Sequence, residues 1–195
     1  LAVSLDRYRP TPETSHINSF SPLSGLRDRL SVDDGISPDG LVYNISLRAN
    51  AVWHDGQPVT SEDVIFTIGL LRDAGSPLSP DRRDFWNQVE VKGWEDKMIQ
   101  FRLPEPFAPF LDYLTFGVLP SHLFGDLTFA EIESSSYNLK PVGSGPYQFE
   151  RLIIEGGQIA GITLHVFNKY YAARPYIEQF AFRYYPSPQA AFEAY

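Results

Sequence analysis

The clearest periodic stretch lies at residues 41–48, where Leu41, Tyr43, Ile45 and Leu47 alternate with Asn44, Ser46 and Arg48. A period of two predicts a half-buried strand. The period changes across residues 52–71. Asp55-Gly56 is a turn pair, because glycine tolerates positive φ and aspartate can bond nearby backbone. Thr60 then predicts a helix N-cap, with Asp63 three residues on as a short-armed capping-box acid and Val59 and Val64 spaced as a hydrophobic staple. Val64, Ile68 and Leu71 recur at helical spacing, so the helix has a face to bury. Glu62 and Asp63 stand in its first turn, where the helix dipole favours negative charge.

Residues 1–37 are rich in Ser, Pro, Asp and Gly and predict an irregular segment with at most a short helix over 23–30. Beyond the first helix, residues 72–83 predict a loop, with Phe85 and Trp86 near its end. A hairpin follows, with strands over 88–92 and 97–103 and Ile99, Phe101 and Leu103 on one face. Pro104, Pro106 and Pro109 end that pattern. Residues 107–114 predict a short helix, 118–124 an extended piece entering a turn, and 129–134 a short surface helix. PVGSGPY, residues 141–147, sets two glycines between prolines and predicts a rigid, exposed backbone crossing. A second hairpin, 148–155 and 158–167, turns at Gly156-Gly157. Residues 176–185 predict a strand with Phe180, Phe182 and Tyr184 on one face, and Ser187 caps a last helix with Pro188 at its first position. The order strand, turn, helix, hairpin, helix argues against regular βαβ winding. It predicts an α+β fold: an antiparallel or mixed sheet, two or three substantial flanking helices and long loops.

Composition narrows the class. At 43% hydrophobic and 21% charged residues the chain is globular, not disordered. No apolar run approaches the roughly 20 residues that cross a bilayer. A net charge of −8 without a basic cluster works against nucleic-acid binding. The absence of cysteine removes disulfides and thiolate metal sites.

Candidate chemistry is sparse. His16, His54, His122 and His165 are scattered, none with metal-ligand spacing, so no metal site is expected. His54-Asp55 admits two readings, a metal-dependent hydrolase pair or a turn with a structural aspartate, and turn chemistry favours the second. Gly143-Ser144-Gly145 is neither a nucleophile elbow nor a phosphate loop, since GxSxG and the Gly-Lys-Ser/Thr ending are both missing. No catalytic residue and no cofactor is called for. Phe85, Trp86 and Tyr137 sit in or beside loops and are candidates for a ligand-pocket wall or for buried loop anchors.

Five segments in order carry a resemblance: SPDGLVYNISLRANAVWHDGQPVTSEDV, FRLPEPFAPFLDYL, VLPSHLF, PVGSGPYQFE and NKYYAARPYIEQFAFRYYPSPQAAFEAY. Over residues 31–195 the chain resembles the family-5 extracellular solute-binding proteins, the dipeptide, oligopeptide and nickel-binding group that feeds ABC importers. Ser144 stands where a Thr is commoner. The resemblance implies a periplasmic dipeptide-binding-protein-like lobe of a truncated two-lobe clamp. Residues 1–37 would be an irregular N-terminal segment, 38–140 an inserted subdomain of lobe one, and 141–195 the start of its main part. It further implies a non-enzymatic role: capture of a small solute, peptide foremost, for ABC permease subunits. The setting would be periplasmic or extracellular, with any membrane attachment through a lipid anchor, and the full-length protein would be a monomer. Asp55, Gly56, Thr60, Asp63, Gly143, Gly145 and Pro146 belong to the motifs as structural residues.

Overall fold

The computed structural model describes residues 35–194. The helix predicted over 23–30 lies outside them. Two three-stranded antiparallel sheets carry the fold, where a single sheet was expected. The first has the order β1 (Val42–Ser46), β3 (Met98–Arg102), β2 (Glu90–Glu95). Tyr43 lies opposite Phe101 and Ile45 opposite Ile99. All four are buried, so the alternation read from the sequence is the burial pattern of the sheet.

Helix α1 (Ser61–Arg72) covers this sheet with Val64 and Ile68, both buried. Val59, ahead of the cap, is buried with them, as a hydrophobic staple requires. The helix runs close over β2: a side chain at Gly93 would stand 2.8 Å from Ser61 Oγ and 3.3 Å from Ile65 Cδ1. Helix α2 (Pro80–Gln88) corrects the loop predicted to residue 83. Pro80 opens it at the first helical position, where a missing N–H costs nothing. Arg72 at the end of α1 ties the two helices, donating from Nε to the Trp86 carbonyl at 2.9 Å and from Nη2 to the Val89 carbonyl at 2.6 Å. Short helical turns α3 (Phe110–Tyr113), α4 (Ser121–Phe124) and α5 (Phe129–Glu133) follow. The helix expected over 107–114 is thus confined to four residues, since Pro109 delays its start.

The second sheet is the meander β4 (Tyr147–Glu155), β5 (Gln158–Val166), β6 (Gln179–Arg183). Gly156 and Gly157 turn between β4 and β5 with φ of 58° and 79°, values that suit a two-residue hairpin and disfavour side chains. Phe149, Leu164 and Phe180 align across one face, followed by Leu152, Ile162 and Phe182. Among the described residues this face is only partly covered, and Phe182 is 52% exposed. Ser187 caps α6 (Pro188–Glu193) as predicted, its hydroxyl accepting the Ala190 N–H. The PVGSGPY crossing between the two sheets is exposed only at Pro141: Ser144 is buried and the other residues are half-buried, because the His54 turn packs against them.

Candidate functional site

The Asp55-Gly56 turn is built locally. Gly56 takes φ of 91°, its N–H donates to the Trp53 carbonyl at 2.8 Å, and Asp55 Oδ1 accepts the Gln57 N–H at 3.1 Å. Its two candidate reactive side chains then diverge. The His54 ring is held between two glycines. Nδ1 accepts the Gly143 N–H at 3.1 Å, so the proton rests on Nε2, which faces the Gly145 carbonyl at 3.1 Å. The His54 N–H adds a bond to the Gly143 carbonyl at 2.8 Å, and Phe167 meets the ring edge-on. Burial pushes the imidazole below its ordinary pKa; the Gly145 carbonyl and Asp55 pull the other way. A side chain at Gly143 would lie 3.3 Å from His54 Cε1, so glycine is what lets the ring come this near.

Asp55 instead meets His122, with Nε2 and Oδ2 2.7 Å apart. Burial raises its carboxyl pKa, but the His122 hydrogen bond and the Gln57 N–H outweigh that and leave it below the usual carboxylate range. His54 and Asp55 therefore serve different partners, and the pairing a hydrolase would need is not formed. No group of three or more His, Cys, Asp or Glu side chains able to hold a metal exists among the described residues.

Asp63 does more than cap α1. It is buried, and its carboxylate accepts hydrogen bonds from Trp53 Nε1 at 3.0 Å, Thr60 N–H at 2.8 Å, and both the N–H and hydroxyl of Ser121 at 2.7 Å. The Thr60 hydroxyl is a weaker contact at 3.5 Å. Of the capping box, the acid arm thus has the good geometry. Nearby, Lys97 Nζ donates to the carbonyls of Ala51, at 3.3 Å, and Val59. Burial holds its ammonium below the usual lysine range, against the pull of Asp63 and Asp96.

The structure separates the three aromatic pocket candidates. Trp86 is 2% exposed and packs in the core, edge-on to Phe116. Phe85 is half-buried among Phe107, Phe110 and Tyr113. Tyr137 lies apart, 36% exposed on Phe124. A cavity of about 60 Å³ abuts Trp86, Arg82, Asp112 and Tyr113. A shallower one of about 240 Å³ lies between the His54–Gly56 turn and Gln148, Phe167 and Lys169. Both fall short of the roughly 300–1,000 Å³ of ligand clefts.

Sequence reasoning missed His122 as the partner of Asp55, Ser121 as a partner of Asp63, and the His54 contact with the glycine segment. None of these carried a local signal. Arg48 over the Tyr171 ring, and Asn50 donating to the Tyr171 carbonyl at 3.3 Å, complete the same junction.

Comparison with known proteins places this architecture. The pattern described as bacterial extracellular solute-binding proteins, family 5 Middle, matches residues 29–195. The oligopeptide-binding protein AppA of Bacillus subtilis is 29% identical over 178 residues, 85% of this chain and 31% of AppA. The dipeptide-binding protein of Escherichia coli is 26% identical over 184 residues, 85% of this chain and 33% of that protein. The crystal structure of the ABC transporter substrate-binding protein CtaP from Listeria monocytogenes superposes with a TM-score of 0.67 at 34% identity, covering 82% of this chain and 32% of CtaP. The chain thus spans about a third of the length of the curated relatives it matches. Motif order, two-sheet architecture and these matches agree: the chain belongs to the bacterial extracellular solute-binding proteins, family 5.

Proposed function

We propose that the protein of which this chain forms part captures a small solute, a peptide foremost, outside the cytoplasm and hands it to the permease subunits of an ABC importer. The observation that carries this is the family match over residues 29–195, joined to relatives named for oligopeptide and dipeptide binding. The chain's own geometry supports a scaffolding share of that task. Its turn and cap residues are committed to internal hydrogen bonds, and neither cavity is large enough to enclose a peptide. Closure of a clamp on ligand would then engage a further lobe. In this reading residues 38–140 are the inserted subdomain and 141–195 the re-entry into lobe one. Of the three aromatic candidates, Tyr137 is this chain's contribution to the ligand wall, while Trp86 in the core and Phe85 in its aromatic cluster anchor the scaffold. The working form is a monomer, in the periplasm or tethered by lipid to the outer face of the membrane.

The test is a thermal-shift screen of the intact protein against di-, tri- and longer peptides. A ligand at one hundred times its Kd stabilises the native state by about 2.7 kcal/mol, a readily measured rise in Tm. No shift with any peptide, and a clear shift with a sugar or a metal chelate, would reassign the substrate class. No shift with any solute would overturn the binding role.

A further inference from the structure

The contact between the His54 ring and the Gly143–Gly145 segment has a property that the other junction contacts lack. Its two hydrogen bonds demand a ring with one acceptor and one donor nitrogen. Nδ1 must accept the Gly143 N–H, and Nε2 must donate to the Gly145 carbonyl. A second proton on the ring turns Nδ1 into a donor that faces another donor at 3.1 Å. The imidazolium cannot keep this pose. The ring also joins segments far apart in the chain, since it belongs to the turn that leads into α1 while the glycines lead into β4.

We propose that His54 is a pH-sensitive latch that fastens the α1 unit to the entry of the second sheet when the ring is neutral and releases it on protonation. The proposal does not depend on which solute the protein carries. It is tied to geometry at three points: the paired bonds to Gly143 and Gly145, the Phe167 edge against the ring, and the glycine at 143 that leaves the ring its place.

The charged and titratable groups around the ring are few. Asp55 on the same turn favours the protonated form, and its own charge is shared with His122 from α4. His165 on β5 opposes protonation. Lys169 lines the neighbouring cavity from the segment after β5, adding positive charge on that side. The glycine segment contributes only backbone dipoles. Burial sets the direction, holding the latched ring below the ordinary histidine value of 6.5. The unlatched, hydrated ring titrates near that ordinary value. Between the two values the open form binds the extra proton and the closed form does not. Opening is therefore favoured as pH falls below 6.5, by up to about tenfold per pH unit until the latched ring itself titrates.

The test follows hydrogen exchange at the Gly143 amide in the intact protein from pH 7.5 to 5, corrected for the intrinsic pH dependence of exchange. Wild type is expected to lose protection as pH falls below 6.5. His54→Gln supplies a fixed acceptor and a fixed donor and should hold its protection flat across the range. Asp55→Asn removes a neighbouring negative charge and should move the wild-type transition to lower pH. This second variant keeps the proposal testable should His54→Gln fail to fold. Protection that is independent of pH in wild type overturns the latch. The same pH dependence in His54→Gln as in wild type also overturns it, assigning the effect to His122 or His165. A transition left in place, or raised, by Asp55→Asn counts against His54 as the titrating group.

Discussion

Replacing Asp63 with alanine would remove one acceptor group and strand several donors. Trp53 Nε1, the Thr60 N–H and the Ser121 N–H all end on this carboxylate, and Trp53 is only 1% exposed. A buried donor left unpaired costs about 1–3 kcal/mol, so three of them bracket roughly 3–9 kcal/mol. Thr60 and Ser121 are half-buried and can recruit water, which places the expected loss in the lower half, about 3–5 kcal/mol. Against a typical total stability of about 5–15 kcal/mol this is severe. Asp63→Asn is the sharper test, because it keeps the shape. Oδ1 serves Ser121 and Oδ2 serves Trp53 and Thr60, and every partner is a donor. Whichever oxygen becomes an NH₂, donors then face donors, and the loss should be at least about 2 kcal/mol. Urea denaturation followed by tryptophan fluorescence reads both variants. An Asp63→Asn protein within about 0.5 kcal/mol of wild type, the range of an ordinary surface change, would refute the account of Asp63 as a buried acceptor hub.

Thr60→Ala keeps the backbone N–H that bonds Asp63 and loses the 3.5 Å hydroxyl contact together with a loose approach of that hydroxyl to the Asp63 N–H, so its cost should fall near the low end of cap substitutions, about 0.5 kcal/mol; a loss above about 1.5 kcal/mol by urea denaturation would restore the hydroxyl to a main role. Gly161→Ala would put a methyl 2.2 Å from the Phe182 carbonyl oxygen, so β6 must separate from β5. Hydrogen exchange should show loss of protection across β6, and unchanged protection would contradict the strand register. Trp86→Ala should cost about 3–5 kcal/mol whatever it does to ligand affinity. Tyr137→Ala, at a half-open site, should leave stability within about 1 kcal/mol, so peptide titration of that variant reads ligand contact directly. Unchanged affinity there would remove Tyr137 from the ligand wall.

What could be read from the sequence was local chemistry. Leu41–Leu47 alternation, the Asp55-Gly56 turn, the Val59 and Val64 pair and the Gly156-Gly157 hairpin each depend on residues a few positions apart. Helix α2 was hidden because Pro80 and Ser79 stand in a run that also reads as loop, and a proline at the first helical position is compatible with both. The junction could not be read at all. Gly143 and His54 are separated by 89 positions, His122 and Asp55 by 67, and Ser121 and Asp63 by 58. Periodicity has no term for such pairs. The hydrolase alternative at His54-Asp55 fails for the same reason, while the favoured turn reading stands: adjacency in the chain put the two together, and the turn sends their side chains to different partners.

The close approach of α1 to β2 bears on how the sequence of this unit can drift. Space for a side chain at position 93 is taken by Ser61 Oγ and Ile65 Cδ1, and Ser61 in turn donates its hydroxyl to the Glu95 carbonyl on the same strand. A methyl at 93 would require the Ser61 hydroxyl to rotate away, giving up that hydrogen bond, and Ile65 Cδ1 to shift slightly. Gly93 and Ser61 are therefore coupled, and alanine at 93 is accommodated most cheaply where position 61 is smaller. Relatives of this chain should show the two positions changing together, with bulk at one matched by smallness at the other.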